Sequence, residues 1–237
     1  MKALILALCL TAAVTGQAEA ETGHADIHTV AVIVALGRSA EYLNEGTFFS
    51  TGGGTIDIAP LKLDEAVVRD VTALLNGRFA VLPAIYDHSA FTTMQEGFFG
   101  SEIPIADMLG NRADRKSVDA YIVIYPETAS NALPFNAGGV RGASLVRRSQ
   151  SEIDDCAFYK VAIFDSRTVR PVAETWLSLG ETRDGQIVPA WRAAPVNAAP
   201  ESYSGMTDDQ RQAFRDRLGK LVGDSLKPTL TALGLLP

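Results

Sequence analysis

The chain is poor in the groups that most often announce chemistry. It holds 2 cysteines and 3 histidines in 237 residues. Cys9 sits in the leading apolar stretch, so Cys156 is alone in the rest of the chain and has no internal disulfide partner. It reads as a small buried strand residue. A closed zinc site wants about four Cys or His ligands, and His24, His28 and His88 do not supply them. His24 and His28 have i,i+4 spacing but no Glu between them and no helix to stand on. No metal or cofactor is expected. Positive charge is also scarce. Against 28 Asp and Glu stand 21 Lys and Arg, for a formal charge of −7. A nucleic-acid binder needs a basic face to neutralise phosphates, so that class is excluded. After the leading segment no apolar run approaches about 18 residues, so no transmembrane segment is expected in the mature chain.

What is present begins with that leading segment. Lys2 gives a positive start, residues 3–14 are an apolar run, and Ala18-Glu19-Ala20 is a small-x-small cleavage site. Residues 1–20 therefore read as a secretory signal peptide cut after Ala20, which predicts a periplasmic or secreted protein. Leu8 precedes Cys9, which does not fit a lipid-anchoring cysteine.

Residues 21–237 read as a single α+β domain. TVAVIVAL at 29–36 is apolar, β-branched and continuous, the pattern of a strand buried on both faces. Residues 38–59, with four glycines, form a long loop or irregular hairpin. Asp64 is a plausible N-cap for a helix whose stripe is Val67, Val68, Val71, Leu74 and Leu75, stopped by Asn76-Gly77. Val71 and Leu74 are expected in the core. FAVLPAI at 79–85 is a strand that Pro83 confines to an edge or a bulge. This makes a βαβ unit with parallel strands. A short helix near 105–109 and a strand at 118–125 follow, then strands at 142–148, 157–165 and 172–179 in an antiparallel meander. Residues 180–206 read as a long surface excursion. Thr207 and Gln210 form a capping box ahead of a helix with the stripe Phe214, Leu218, Leu221, Val222 and Leu226, ended or kinked by Pro228. The expected architecture is a mixed sheet with helices packed on one face.

Read in that order, the chain resembles a group of bacterial envelope domains: the amino-terminal domain of TolB, the outer-membrane lipoprotein LpoB and the periplasmic domain of the curli secretion protein CsgG. The resemblance is carried by GRFAVLPA at 77–84, VDAYIVIY at 118–125, and the hairpin FDSRTVRPVAETW at 164–176 with its Asp before the turn and Thr within it. It implies a non-catalytic, protein-binding domain whose partners are other envelope proteins. The long loops at 38–59 and 180–206 depart from the compact pattern of that group.

Motifs that would contradict a binding role are weak. Gly223-Asp224-Ser225-Leu226 spells a lipase block, but it falls inside the last helix with no His after it. There is no Gly-x-Ser-x-Gly elbow. Gly52-Gly53-Gly54 lacks the Lys and Ser or Thr of a phosphate loop. Asp87-His88 follows a strand end, where sites in α/β sheets gather. It is the acid–base pair of the alternative reading, a secreted hydrolase with its site near His88. The preferred binding residues are two Gly-flanked aromatic pairs, Phe48 and Phe49 with Phe98 and Phe99, because exposed aromatics are enriched at interfaces. Arg141, Arg147 and Arg148 read either as an added basic spot or as the charges that solvated strand edges commonly carry.

Overall fold

A computed structural model describes residues 26–44, 53–87, 105–128 and 140–237. The expected signal segment, and with it His24, lies outside them.

The described residues build one nine-stranded mixed sheet, ordered β3-β2-β6-β7-β5-β1-β4. Its members are β1 (Thr29–Val34), β2 (Ser39–Asn44), β3 (Gly54–Asp57), β4 (Ala80–Leu82), β5 (Ala120–Pro126), β6 (Gly142–Arg147) and β7 (Ile153–Asp165), with β8 (Pro171–Trp176) and β11 (Ala190–Ala194) also on β7. β1 pairs in parallel with both β4 and β5. β9 (Thr182–Arg183) and β10 (Gln186–Ile187) make a separate small hairpin. The α+β class and the irregular hairpin of β2 and β3 are therefore as the sequence pattern predicts.

β7 organises the sheet. It is 13 residues long and buried on both faces. Its first half pairs with β6 and β11; its second half pairs with β5 and β8. Strand alternation separates two cores. Val30, Val32, Val34, Ile122, Val161 and Ile163 lie on one side, and Ala31, Ile33, Tyr121, Val123, Ala162 and Phe164 on the other.

The first side is covered by α1 (Leu63–Leu75) and α3 (Asp208–Ala232). α2 (Ile105–Gly110) lies on the opposite side, with Leu109 fully buried among the second set. The expectation of helices on one face is thus corrected. The parallel strands β1 and β5 are apolar on both surfaces, so both need cover.

Three further expectations are revised. Asp64 is not the N-cap of α1: Lys62, at φ 46°, holds that position, and Asp64 lies in the first turn. Leu63, Val67, Val71 and Leu75 are the buried stripe, with Val68 and Leu74 only partly buried. Pro228 does not end α3, which runs on to Ala232. Leu226 and Leu230 are buried on either side of it, and Thr229 Oγ1 accepts from Ser178 N–H at 2.9 Å, which ties the last turns to the end of β8. The capping box of Thr207 and Gln210 is present at the other end.

The excursion after β8 is a strap rather than a loose loop. β11 adds to β7, and the chain beyond it is clamped over β2 and β3. Arg147 Nη1 donates to Ala199 O at 2.5 Å, Asn44 Nδ2 to Glu201 O at 2.6 Å, and Tyr42 OH to Pro200 O. Tyr203 OH donates to Thr55 O at 2.5 Å. Arg147 is buried and Arg148 is paired with buried Asp154, so these two do not contribute to an exposed basic spot. Under α3, Arg217 makes a two-pronged contact with buried Asp155 at 2.6 and 3.0 Å. Burial pushes the Asp155 carboxyl up, and the guanidinium counters it.

Candidate functional groove

β4 is short. Pairing with β1 stops at Leu82, in the register Thr29↔Ala80, Val30↔Val81, Ala31↔Leu82, and the next residue is Pro83, whose ring fixes the backbone as the strand ends and whose missing N–H falls on the outer side. β1 itself continues to Val34. Ala80 N–H donates to His28 O at 2.8 Å, so Ala80 and Leu82 turn their backbone groups toward β1 and Val81 turns its own outward. By the same alternation Val34 and Leu36 of the β1 segment face the line β4 has vacated. Ala35 faces the other way and donates to Ile124 O of β5 at 2.9 Å.

Side chains satisfy the groups that β4 leaves behind. Val34 N–H donates to Tyr86 OH at 2.8 Å, and the same hydroxyl donates to Val34 O at 2.5 Å. Leu36 N–H donates to Asp64 Oδ1 at 2.8 Å. Burial pushes the Tyr86 phenol up; the Val34 backbone bond works against this, the Asp64 and Glu65 carboxylates add to it, and it settles at about 12. Tyr86 is therefore a proton donor at any physiological pH.

Above these contacts runs a groove of about 470 Å³ between α1 and the β4 end of the sheet. Val32 and Val68 line it with Val81, Leu82, Pro83 and Ala84. Asp64, Glu65, Arg69, Thr72 and Tyr86 supply its polar positions. The place is the one expected of α/β sheets, beyond the carboxyl ends of parallel strands. Its volume falls in the usual range of binding pockets, about 300–1,000 Å³. Beside it, Ile85 is 93% exposed.

The residues singled out from sequence fare unevenly. Asp87 is exposed, one position past Tyr86, and is not part of the groove lining. His88, Phe48, Phe49, Phe98 and Phe99 lie outside the described residues. Cys156 is fully buried and its thiol is pushed well up by that burial. Ser225 of the lipase-like block is fully buried and donates to Leu221 O at 2.6 Å, a helix-internal bond. Among the described residues no three His, Cys, Asp or Glu come together to hold a metal, and no helix is long and apolar enough to cross a membrane. The sequence reading missed the groove itself. Its one legible signal is a Pro inside a strand pattern with a Tyr three residues on.

No family model matches the chain, and no curated protein matches it. Among solved structures it is similar to the Xanthomonas campestris protein XCC0632, described with the family DUF330, at 11% identity and a TM-score of 0.35, over 87% of each chain. It is also similar to lipoprotein GNA1162 from Neisseria meningitidis, at 10% identity and a TM-score of 0.29, over 83% of this chain and 99% of that one.

Proposed function

We propose that this chain is an exported, non-catalytic accessory protein of the bacterial envelope that binds another protein through the groove between α1 and β4. The lining carries the reading. Six apolar residues, Val32, Val68, Val81, Leu82, Pro83 and Ala84, share the lining with a few polar and charged groups, the composition of a recognition site. The leading segment with its Ala18-Glu19-Ala20 site supports export. Phe48, Phe49, Phe98 and Phe99, which lie outside the described residues, are proposed from the sequence as further aromatic contacts for a protein partner.

The test is capture from an envelope extract by immobilised mature protein. Val68→Glu puts a charge on the groove floor. Val172→Glu, at a 49% exposed site on β8, is the control. The expected result is a defined set of bands held by the wild type and the control and lost by Val68→Glu, with all three folded. Phe49→Ala and Phe98→Ala are run beside them, and loss of a residue that anchors the partner costs about 2 kcal/mol of affinity or more. Equal capture by folded Val68→Glu overturns the groove as the binding site.

A further inference from the structure

We infer that the floor of this groove is a strand position left open among the described residues, and that the partner fills it with an extended segment laid in line with β4, taking over from the Tyr86 hydroxyl and the Asp64 carboxylate the backbone groups of β1. This inference rests on the protein-binding reading and specifies its occupant.

The argument starts from the bonds that stand where a strand would. Past Leu82, Val34 N–H, Val34 C=O and Leu36 N–H on the β4 side of β1 are all held by side chains of other elements, two by Tyr86 OH and one by Asp64 Oδ1. A hydroxyl that accepts from an N–H and donates to the C=O of the same residue reproduces what a paired strand residue does with its own C=O and N–H. Replacing it with a real strand exchanges hydrogen bonds of similar worth, so the exchange is near neutral in hydrogen bonding. The gain comes from the incoming side chains, every second one of which is directed at Val32 and Val68.

Two of the other edges of the sheet, those of β4 and β3, are poorly suited to such addition. The outer edge of β4 is three residues long and runs into Pro83, a short, proline-guarded edge of the kind that discourages pairing. At the far end, β3 is crossed by the strap, with the Tyr203 ring against Gly54.

The slot also selects chemistry. From Val32 to Leu36 at about 3.3 Å per residue it accepts a segment of four or five residues. Asp64 and Glu65 both line the groove and make its α1 end acidic. The nearby Arg69 is already matched by Asp70, Nε to Oδ1 at 2.9 Å. The complement is a β-branched segment bearing one Lys or Arg at the α1 end.

The probe is a fluorescein-labelled synthetic peptide of alternating Thr and Val with a single Lys, measured by anisotropy. Three results are expected. Wild type binds it, and a copy with alternate backbone amides N-methylated binds at least about tenfold more weakly. Tyr86→Phe, which opens the slot without a hydroxyl to displace, binds the parent peptide about tenfold more tightly. In wild type, hydrogen exchange at Val34 and Leu36 slows when peptide is added, a readout that does not depend on the variant folding. Equal binding of the methylated peptide, no change in exchange at those two amides, or no binding by wild type and Tyr86→Phe alike overturns the strand position. If Val68→Glu still abolishes envelope capture in that case, the binding reading survives and only its occupant is wrong. If Val68→Glu changes neither peptide nor extract binding, both fall.

Discussion

At Gly54 a methyl group has nowhere to go. A Cβ built there would lie 2.1 Å from Cγ of Tyr203, well inside contact distance. The ring cannot simply swing away, because its hydroxyl is bonded to Thr55 O and the Arg211 guanidinium lies over its face, 5.5 Å from the centroid. Gly54→Ala is expected to cost about 1–3 kcal/mol in urea unfolding, the usual range for forced overpacking. In a Tyr203→Ala background the same substitution should cost much less, and an unchanged cost would show that the ring is not the obstacle. In the sequence this glycine is one of three in a row and reads as a flexible tip. Its real constraint comes from a residue 149 positions away, which no local pattern contains. Tyr86 is similar: a tyrosine after a strand is unremarkable until the register shows which backbone groups it serves.

At the scale of elements, legibility follows from how local the cause is. The stripe of α3 and its capping box lie within one helix, and both stand as read. The stripe of α1 is displaced by one turn's detail: Leu75 is fully buried, whereas Leu74 only borders the core. Leu75→Ala is accordingly expected to lose about 2–5 kcal/mol and Leu74→Ala clearly less, compared by denaturant midpoint at constant slope. Equal losses would mean that the helix is rotated from the orientation described. β11 escaped the sequence reading because AWRAA has little strand character; it is a strand only because β7 offers it an edge. Pro228 does not stop α3, for the opposite reason. Its local penalty is genuine, but burial of Leu226 and Leu230 and the Thr229–Ser178 bond outweigh it. α2 was foreseen as a helix but not on its face, since a short amphipathic segment does not declare which surface of a two-sided sheet it will cover.

For the molecule as a whole, acid is the expected weakness. The Asp119 carboxylate accepts from His28 and Thr29 N–H at 3.0 and 2.9 Å, which holds it below the usual carboxyl range. Asp165 is held low by Thr168 and Arg167 N–H in the β7–β8 turn. In Asp114 burial acts upward, but the contacts with Arg112 and Tyr121 prevail and the net shift is down. Each folded value lies below the unfolded one, so each contribution is complete above about pH 4 and is lost as pH falls through the folded value. Melting temperature should hold from neutrality to about pH 5 and then decline. Asp119→Asn should melt lower at pH 7 and decline less steeply, and a parallel decline would remove Asp119 from the explanation. The shared strand β7 has a different kind of consequence, one that concerns time rather than equilibrium. A nascent chain appears amino end first. β1 to β6 are therefore all made before Ile153, yet β5 and β6 lie on either half of a strand that does not yet exist. Until some 165 residues have emerged, β5 and β6 both lack the strand that joins them, and the backbone edges they later share with it stay unpaired.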